Sequence, residues 1–207
     1  MVYSIFMKKL VIASKNPGKI REIEKFLKEL DIKILSLKDV GVDVDVEETG
    51  KTYYENSKLK ALFYAKLINL PVISDDAGLE IDALNGEPGV NSRRWLGHHS
   101  TDEELINHLL KVSKNLPDNN RKASFRTVIT LALPSGKYFQ AMGKTRGVIA
   151  KKPANIRFKG YPFRMFFYLP KINKYDLESE LSKEEERIYN HRYKALKKLM
   201  PFIKKYA

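Results

Sequence analysis

Two adjacent carboxylates, Asp75 and Asp76, follow the apolar residues Val72 and Ile73 in VISDDAG, and a second acidic pair, Glu47 and Glu48, precedes Thr49 and Gly50 in VEETGKTYYENSKLKA. Hard carboxylate oxygens suit Mg2+, which takes a few of them and completes its shell with water and substrate phosphate. Each pair alone also fits a solvated turn, since Asp bonds its own backbone and Gly accepts positive φ. The pairs carry chemistry together only where the fold brings them to one place. A third stretch, SKNPGK (14–19), combines a hydroxyl (Ser14), an amide (Asn16) and an ammonium (Lys19) where a strand gives way to a helix. Unsatisfied backbone N–H groups and the helix dipole attract phosphate there. The same residues equally make an ordinary capped helix start, and the spacing is not that of a Walker P-loop.

The elements that must position these residues are legible. KKLVIAS reads as a short buried strand, followed by a helix in NPGKIREIEKFLKEL with Asn16 as cap, Pro17 in the first turn, and Ile20, Ile23, Leu27 and Leu30 on one face. A second helix is expected over about 52–68, then a strand ending at Asp75. Neighbouring strand residues point to opposite faces, so Asp75 and Asp76 share one site only if the chain turns, which Gly78 permits. Ser100 or Thr101 opens a further helix with Glu103 and Glu104 at capping-box distance. ASFRTVITLALPSGKYFQAMG alternates as a hairpin about Ser135 and Gly136. A last helix starts at Ser182 and runs until Pro201. The class is α/β, with parallel strands early and antiparallel strands late, in one continuous domain over 1–207.

With 207 residues, 43% of them hydrophobic, the chain can bury a real core. No apolar run reaches the roughly 18 residues of a membrane span, and MVYSIFMKKLVIAS is interrupted too early for a secretory signal. A cytoplasmic location is expected. The lack of cysteine excludes disulfides and thiolate chemistry, and four histidines are too few for a histidine-rich zinc site. The formal charge of +13 is spread in Lys/Glu alternation such as REIEKFLKEL, which marks solvated helix faces and argues against nucleic acid as the partner.

Taken together, ASKNPGKIREIEKFL, EETGKTYYENSKLKA and SDDAGLEIDALNGEPGVNSRRW resemble, in order and spacing, the inosine triphosphate pyrophosphatase family, which hydrolyses non-standard purine nucleoside triphosphates. LSKEEERIYNHRYKAL is similar to its closing His-Arg segment. The resemblance implies an elongated mixed β-sheet with flanking helices forming two lobes, the active site in the cleft between them, and a homodimer. It implies hydrolysis of ITP, dITP and XTP to the monophosphate and pyrophosphate. It assigns Ser14, Asn16 and Lys19 to the triphosphate, Glu48 and Asp75 to Mg2+, and Asp76 to the attacking water and the metal. Ala77 would offer its backbone N–H, while His191 and Arg192 would meet the purine. His191 also fits a packed helical stripe with Ile188 and Ala195.

The chain departs from the family in two places. Asp-Asp-Ser-Gly is Asp-Asp-Ala-Gly here, and the Phe-Gly-Tyr-Asp-Pro base loop appears as RFKGYPFRMFFYLP, where Gly160 and Tyr161 align but no Asp follows. Either Phe158 or Phe163 supplies a stacking ring. The family lysine five residues before the His-Arg pair falls on Glu186, with Arg187 as its substitute. Two other readings compete: a basic nucleic-acid-binding protein using the aromatic and basic residues of 157–175, and a pyrophosphatase for modified pyrimidine nucleotides.

Overall fold

The computed structural model describes residues 8–207; residues 1–7, part of the segment judged not to be a secretory signal, lie outside them. In chain order the described residues form β1 (Lys9–Ala13), α1 (Pro17–Leu27), β2 (Lys33–Ser36), α2 (Tyr53–Ile68), β3 (Val72–Ile81), α3 (Asp102–Asn115), β4 (Lys122–Ala132), β5 (Tyr138–Ile149), β6 (Phe167–Leu169), β7 (Lys174–Tyr175), α4 (Lys183–Tyr189) and α5 (His191–Tyr206). The sheet order is β2-β1-β3-β4-β5-β6-β7. β1 runs parallel to β2 and to β3, and β6 runs antiparallel to β5 and β7. This is the mixed α/β sheet that the sequence led one to expect. No helix among the described residues is long and apolar enough to cross a membrane.

The chain forms two compact units. The first holds the described residues up to Asp76 with Val128–Ala141 and Ala195–Ala207; the second holds Ala77–Thr127 and Met142–Lys194. In the first unit the period-two alternation of the strands sorts two cores. Leu10 and Ile12 of β1 and Ile73 of β3 pack with Ile23 and Leu27 of α1 and with Ala195, Leu196, Leu199 and Ile203 of α5. Val11, Ala13 and Val72 pack instead with Ala61, Tyr64 and Ala65 of α2. In the second unit Leu79, Ile81, Leu105, Leu109, Phe125, Phe166 and Phe167 form one core.

Three expectations about the elements are corrected. β3 does not end at Asp75; it continues to Ile81 and Gly78 makes no turn. The last helix is two: α4 closes at Tyr189, Asn190 is extended (φ −73°, ψ 119°), and α5 begins at His191. Asn190 Oδ1 accepts a hydrogen bond from Tyr193 N at 3.0 Å, so Asn190 caps α5, a role its residue type favours. Ile188, in α4, is 54% exposed and does not share the buried face of Ala195. Pro201, expected to stop the helix, lies inside α5. Burial of Leu199 and Ile203 on either side of it offsets the roughly 3 kcal/mol that an interior proline costs.

Candidate active site

The first unit gathers every residue expected on the phosphate and metal side except Ala77. Asn16 caps α1: its side chain accepts from Gly18 N at 2.8 Å and Lys19 N at 3.1 Å, and its own N–H donates to Ser14 Oγ at 3.2 Å. Pro17 has no N–H. The backbone donors that a bare helix start offers an anion are therefore largely spent on the cap, and attraction for phosphate rests on Lys19 and the dipole. Lys19 is not a solvated lysine. Its Nζ lies 2.6 Å from Asp75 Oδ1, with the Lys19 side chain 18% exposed and that of Asp75 fully buried.

Lys60, one face of α2 away from solvent, completes the set. It donates to Glu48 Oε1 and to the Asp75 carbonyl, the latter at 3.0 Å. Lys19 Nζ reaches that same carbonyl at 3.5 Å. The sequence reading overlooked Lys60, although a signal was present. It falls on the helical face of Asn56, Ser57, Ala61 and Tyr64, all buried, where a lysine must find a counter-charge.

Asp75 and Asp76 serve one cluster without a turn. Register pairs Ala13 with Ser74, the last β1 residue against β3, so the two acids extend past the end of their neighbouring strand. Alternation carries Asp75 to the α1 face with Ile73, where Lys19 meets it, and Asp76 to the α2 face with Val72. Burial pushes the pKa of Asp76 up, Lys60 and Lys19 pull it down, and Glu48 and Asp75 raise it, for a net rise from 3.8 to about 6. Burial pulls the Lys60 ammonium down, but Asp76, Glu48 and Asp75 outweigh it and its pKa stands above the ordinary value.

Gly50 anchors the loop that carries Glu48. Its N–H donates to Asn56 Oδ1 at 2.7 Å, and a Cβ at this position would lie 2.6 Å from that oxygen. Thr52 and Glu55 form a complete capping box at the start of α2 just beyond. Among the described residues no three His, Cys, Asp or Glu side chains converge as a metal site by themselves. Mg2+ needs no such cage, taking one or two carboxylates with phosphate and water. Glu48 and Asp75, held by Lys60 and Lys19, and Asp76, the next residue of β3, offer carboxylate oxygens of the kind that mode takes.

The second unit gathers the residues expected at the base. Arg192 and His191, 2% and 4% exposed, occupy the first turn of α5 because Asn190 starts a new helix there. The His191 ring stacks on Phe125 at 5.2 Å between centroids. The Arg192 guanidinium stands 5.9 Å from the centre of the Tyr161 ring. Gly160, at φ 88°, takes a backbone conformation that suits glycine. Its N–H donates to Asp102 Oδ2 at 2.6 Å, and Arg93 holds the other oxygen of Asp102 at 2.7 Å. Phe163 is buried against Trp95, leaving the partly exposed Phe158 as the available ring. Ala77 lies within β3 and is partly exposed. Arg187 is exposed with its guanidinium 5.9 Å from the Tyr193 ring, while Glu186 beside it is buried.

A family model described as the Ham1 family matches residues 10–202. The chain belongs to the Ham1 family. This Ham1-family chain is 38% identical over 204 residues to a dITP/XTP pyrophosphatase of Clostridium perfringens, covering 96% of the chain and 98% of that protein. It is 40% identical over 196 residues to a dITP/XTP pyrophosphatase of Thermus thermophilus, covering 95% and 92%. Its fold is similar to the solved structure of a HAM1 protein from Coxiella burnetii, with a TM-score of 0.80, 35% identity, and coverage of 96% and 100%.

Proposed function

We propose that this chain hydrolyses non-standard purine nucleoside triphosphates, dITP, ITP and XTP, to the nucleoside monophosphate and pyrophosphate. The observation that carries the reading is Asp76. It is a buried carboxylate with its pKa pushed to about 6, set among Lys19, Lys60, Glu48 and Asp75. A base of that strength works near neutral pH, and Lys19 and Lys60, paired here with Asp75 and Glu48, are the cations at hand for a polyanion. The names of the relatives, dITP/XTP pyrophosphatase, agree with that chemistry.

In this reading Lys19, Ser14 and the amide nitrogen of Asn16 bind the triphosphate, with Lys60 as a second cation. The Asp76 carboxylate orients a water molecule and takes its proton as the oxygen attacks the α-phosphorus; the α–β bridge breaks and pyrophosphate departs. Glu48 and Asp75, with Asp76, would hold Mg2+, which when bound supplies positive charge to the phosphate oxygens. In the second unit the buried Arg192 donates to the 6-oxo group of hypoxanthine or xanthine. Adenine presents a donor at that position, and a donor facing a donor in a buried site costs about 1–3 kcal/mol. The Ala77 N–H belongs with the phosphate groups, and His191, Gly160, Tyr161, Phe158 and Arg187 complete the base and sugar side.

The nucleic-acid reading loses its main support, because Phe163, Phe166 and Phe167 of the 157–175 stretch are buried in the core instead of forming an open stacking surface. The test is hydrolysis of ITP, dITP, XTP, GTP, ATP and TTP with Mg2+, scoring pyrophosphate against orthophosphate. Pyrophosphate released fastest from ITP, dITP or XTP is expected. Preference for a pyrimidine nucleotide, or orthophosphate as the product, overturns the reading. A homodimer and a cytoplasmic location belong with it, and light scattering of the purified chain checks the former.

A further inference from the structure

We propose that Arg164, backed by Asp176, is a positioning residue that fixes the Tyr161 ring for base binding and so contributes to substrate choice. The proposal rests on the reading that Tyr161 and Arg192 meet the base. Arg164 is 6% exposed and Asp176 is fully buried. Its Nε lies 4.0 Å from Asp176 Oδ2, at the outer limit of an ion pair. The Arg164 guanidinium carbon stands 4.2 Å from the centre of the Tyr161 ring, within cation–π distance.

Stability does not account for such a pair. Taking two charges out of water is costly, and apolar replacements of buried ion pairs are often neutral or stabilising. What the arrangement provides is a rigid, planar cation held against a ring that is itself only partly buried. Arg192 addresses the same ring from 5.9 Å. The Asp176 carboxylate beside Arg164 offsets part of its charge. The backbone adds to the device: Tyr161 N donates to Phe158 O at 3.0 Å, and the preceding Gly160 is tied to Asp102. The ring is therefore fixed through its backbone on one side and through its face on the other.

The test compares wild type with the double variant Arg164→Met/Asp176→Asn, which removes both charges together, and with Arg164→Lys, which keeps the charge and loses the plane. Circular dichroism establishes folding, and steady-state kinetics are read with ITP and ATP. The expected result for the double variant is a roughly three- to thirtyfold rise in KM for ITP, from the lost ring contact. kcat should stay within about twofold, because the groups acting on phosphate lie in the other unit, and the ITP-to-ATP ratio of kcat/KM should fall. Arg164→Lys should resemble the double variant more than wild type; if the double variant does not fold, the KM of this one decides. Wild-type KM and ratio in a folded double variant, full retention of wild-type KM by lysine, or equal loss on ITP and ATP overturns the inference. A wild-type chain that does not hydrolyse ITP overturns the proposed function and the inference with it; an active wild type with unaltered variants overturns the inference alone.

Discussion

Asp76→Asn separates what the active-site acid costs the fold from what it does for turnover. Asp76 is 5% exposed, and its pKa rises from 3.8 to about 6 because burial disfavours the charged form more than Lys60 and Lys19 favour it. The folded state therefore binds more protons than the unfolded state between these two values. The contribution of Asp76 to stability is greatest below about pH 3.8, is lost as pH rises, and stays lowered above about pH 6. About two pKa units correspond to about 3 kcal/mol, a ceiling on what an uncharged side chain of the same shape can restore. Lys60 loses part of its counter-charge in the variant, so the gain falls short of that ceiling. Urea unfolding of both proteins in EDTA at pH 4, 6 and 8 is the assay, and the advantage of the variant should widen with pH. In the same protein kcat with ITP should fall roughly 10²–10⁴-fold, the usual loss on removing a general base. A stability difference that does not change between pH 4 and 8, or wild-type turnover in a folded variant, refutes the reasoning.

Three other changes probe the supports of the site. Lys19→Ala takes the ammonium from a fully buried carboxylate, so urea unfolding should show a loss of up to about 3 kcal/mol together with a fall in kcat/KM; an unaltered protein would mean that the pair is only incidental. Gly50→Ala drives a methyl into Asn56 and should cost about 1–3 kcal/mol by thermal melting, with activity falling as Glu48 shifts. Asn190→Ala removes the cap of α5 and should cost about 1 kcal/mol. It should also raise KM for ITP, since His191 and Arg192 form the first turn of that helix; a KM that does not move would detach the cap from the base side.

Local chemistry is what the sequence could reveal by itself. The α1 cap at Asn16, the capping boxes at Thr52, Thr101 and Ser182, and the alternation through β1 and β4 depend on residues close in the chain, so their spacing is sufficient. The membership of Glu48, Asp75 and Asp76 in one charged cluster was legible only as an expectation from three ordered motifs, because nothing in the chain between residues 48 and 75 fixes where two loops meet. The tertiary structure decided it by ending β1 at Ala13, which lets acids on opposite faces of β3 share one set of lysines. That geometry replaced the turn expected at Gly78. Lys60 was hidden for the same reason, since a lysine on an apolar helix face acquires meaning only from the carboxylates that another segment brings to it. Pro201 and Asn190 mark the limits of local rules: packing of Leu199 and Ile203 holds a helix through a proline, while a single asparagine cap breaks a continuous helical pattern. Arg164 and Asp176 lie twelve residues apart in a stretch without periodicity, and only β6 and β7 folding back on each other pairs them. Charge pairing over such loops is decided by the path of the chain, which residue types and spacing do not encode.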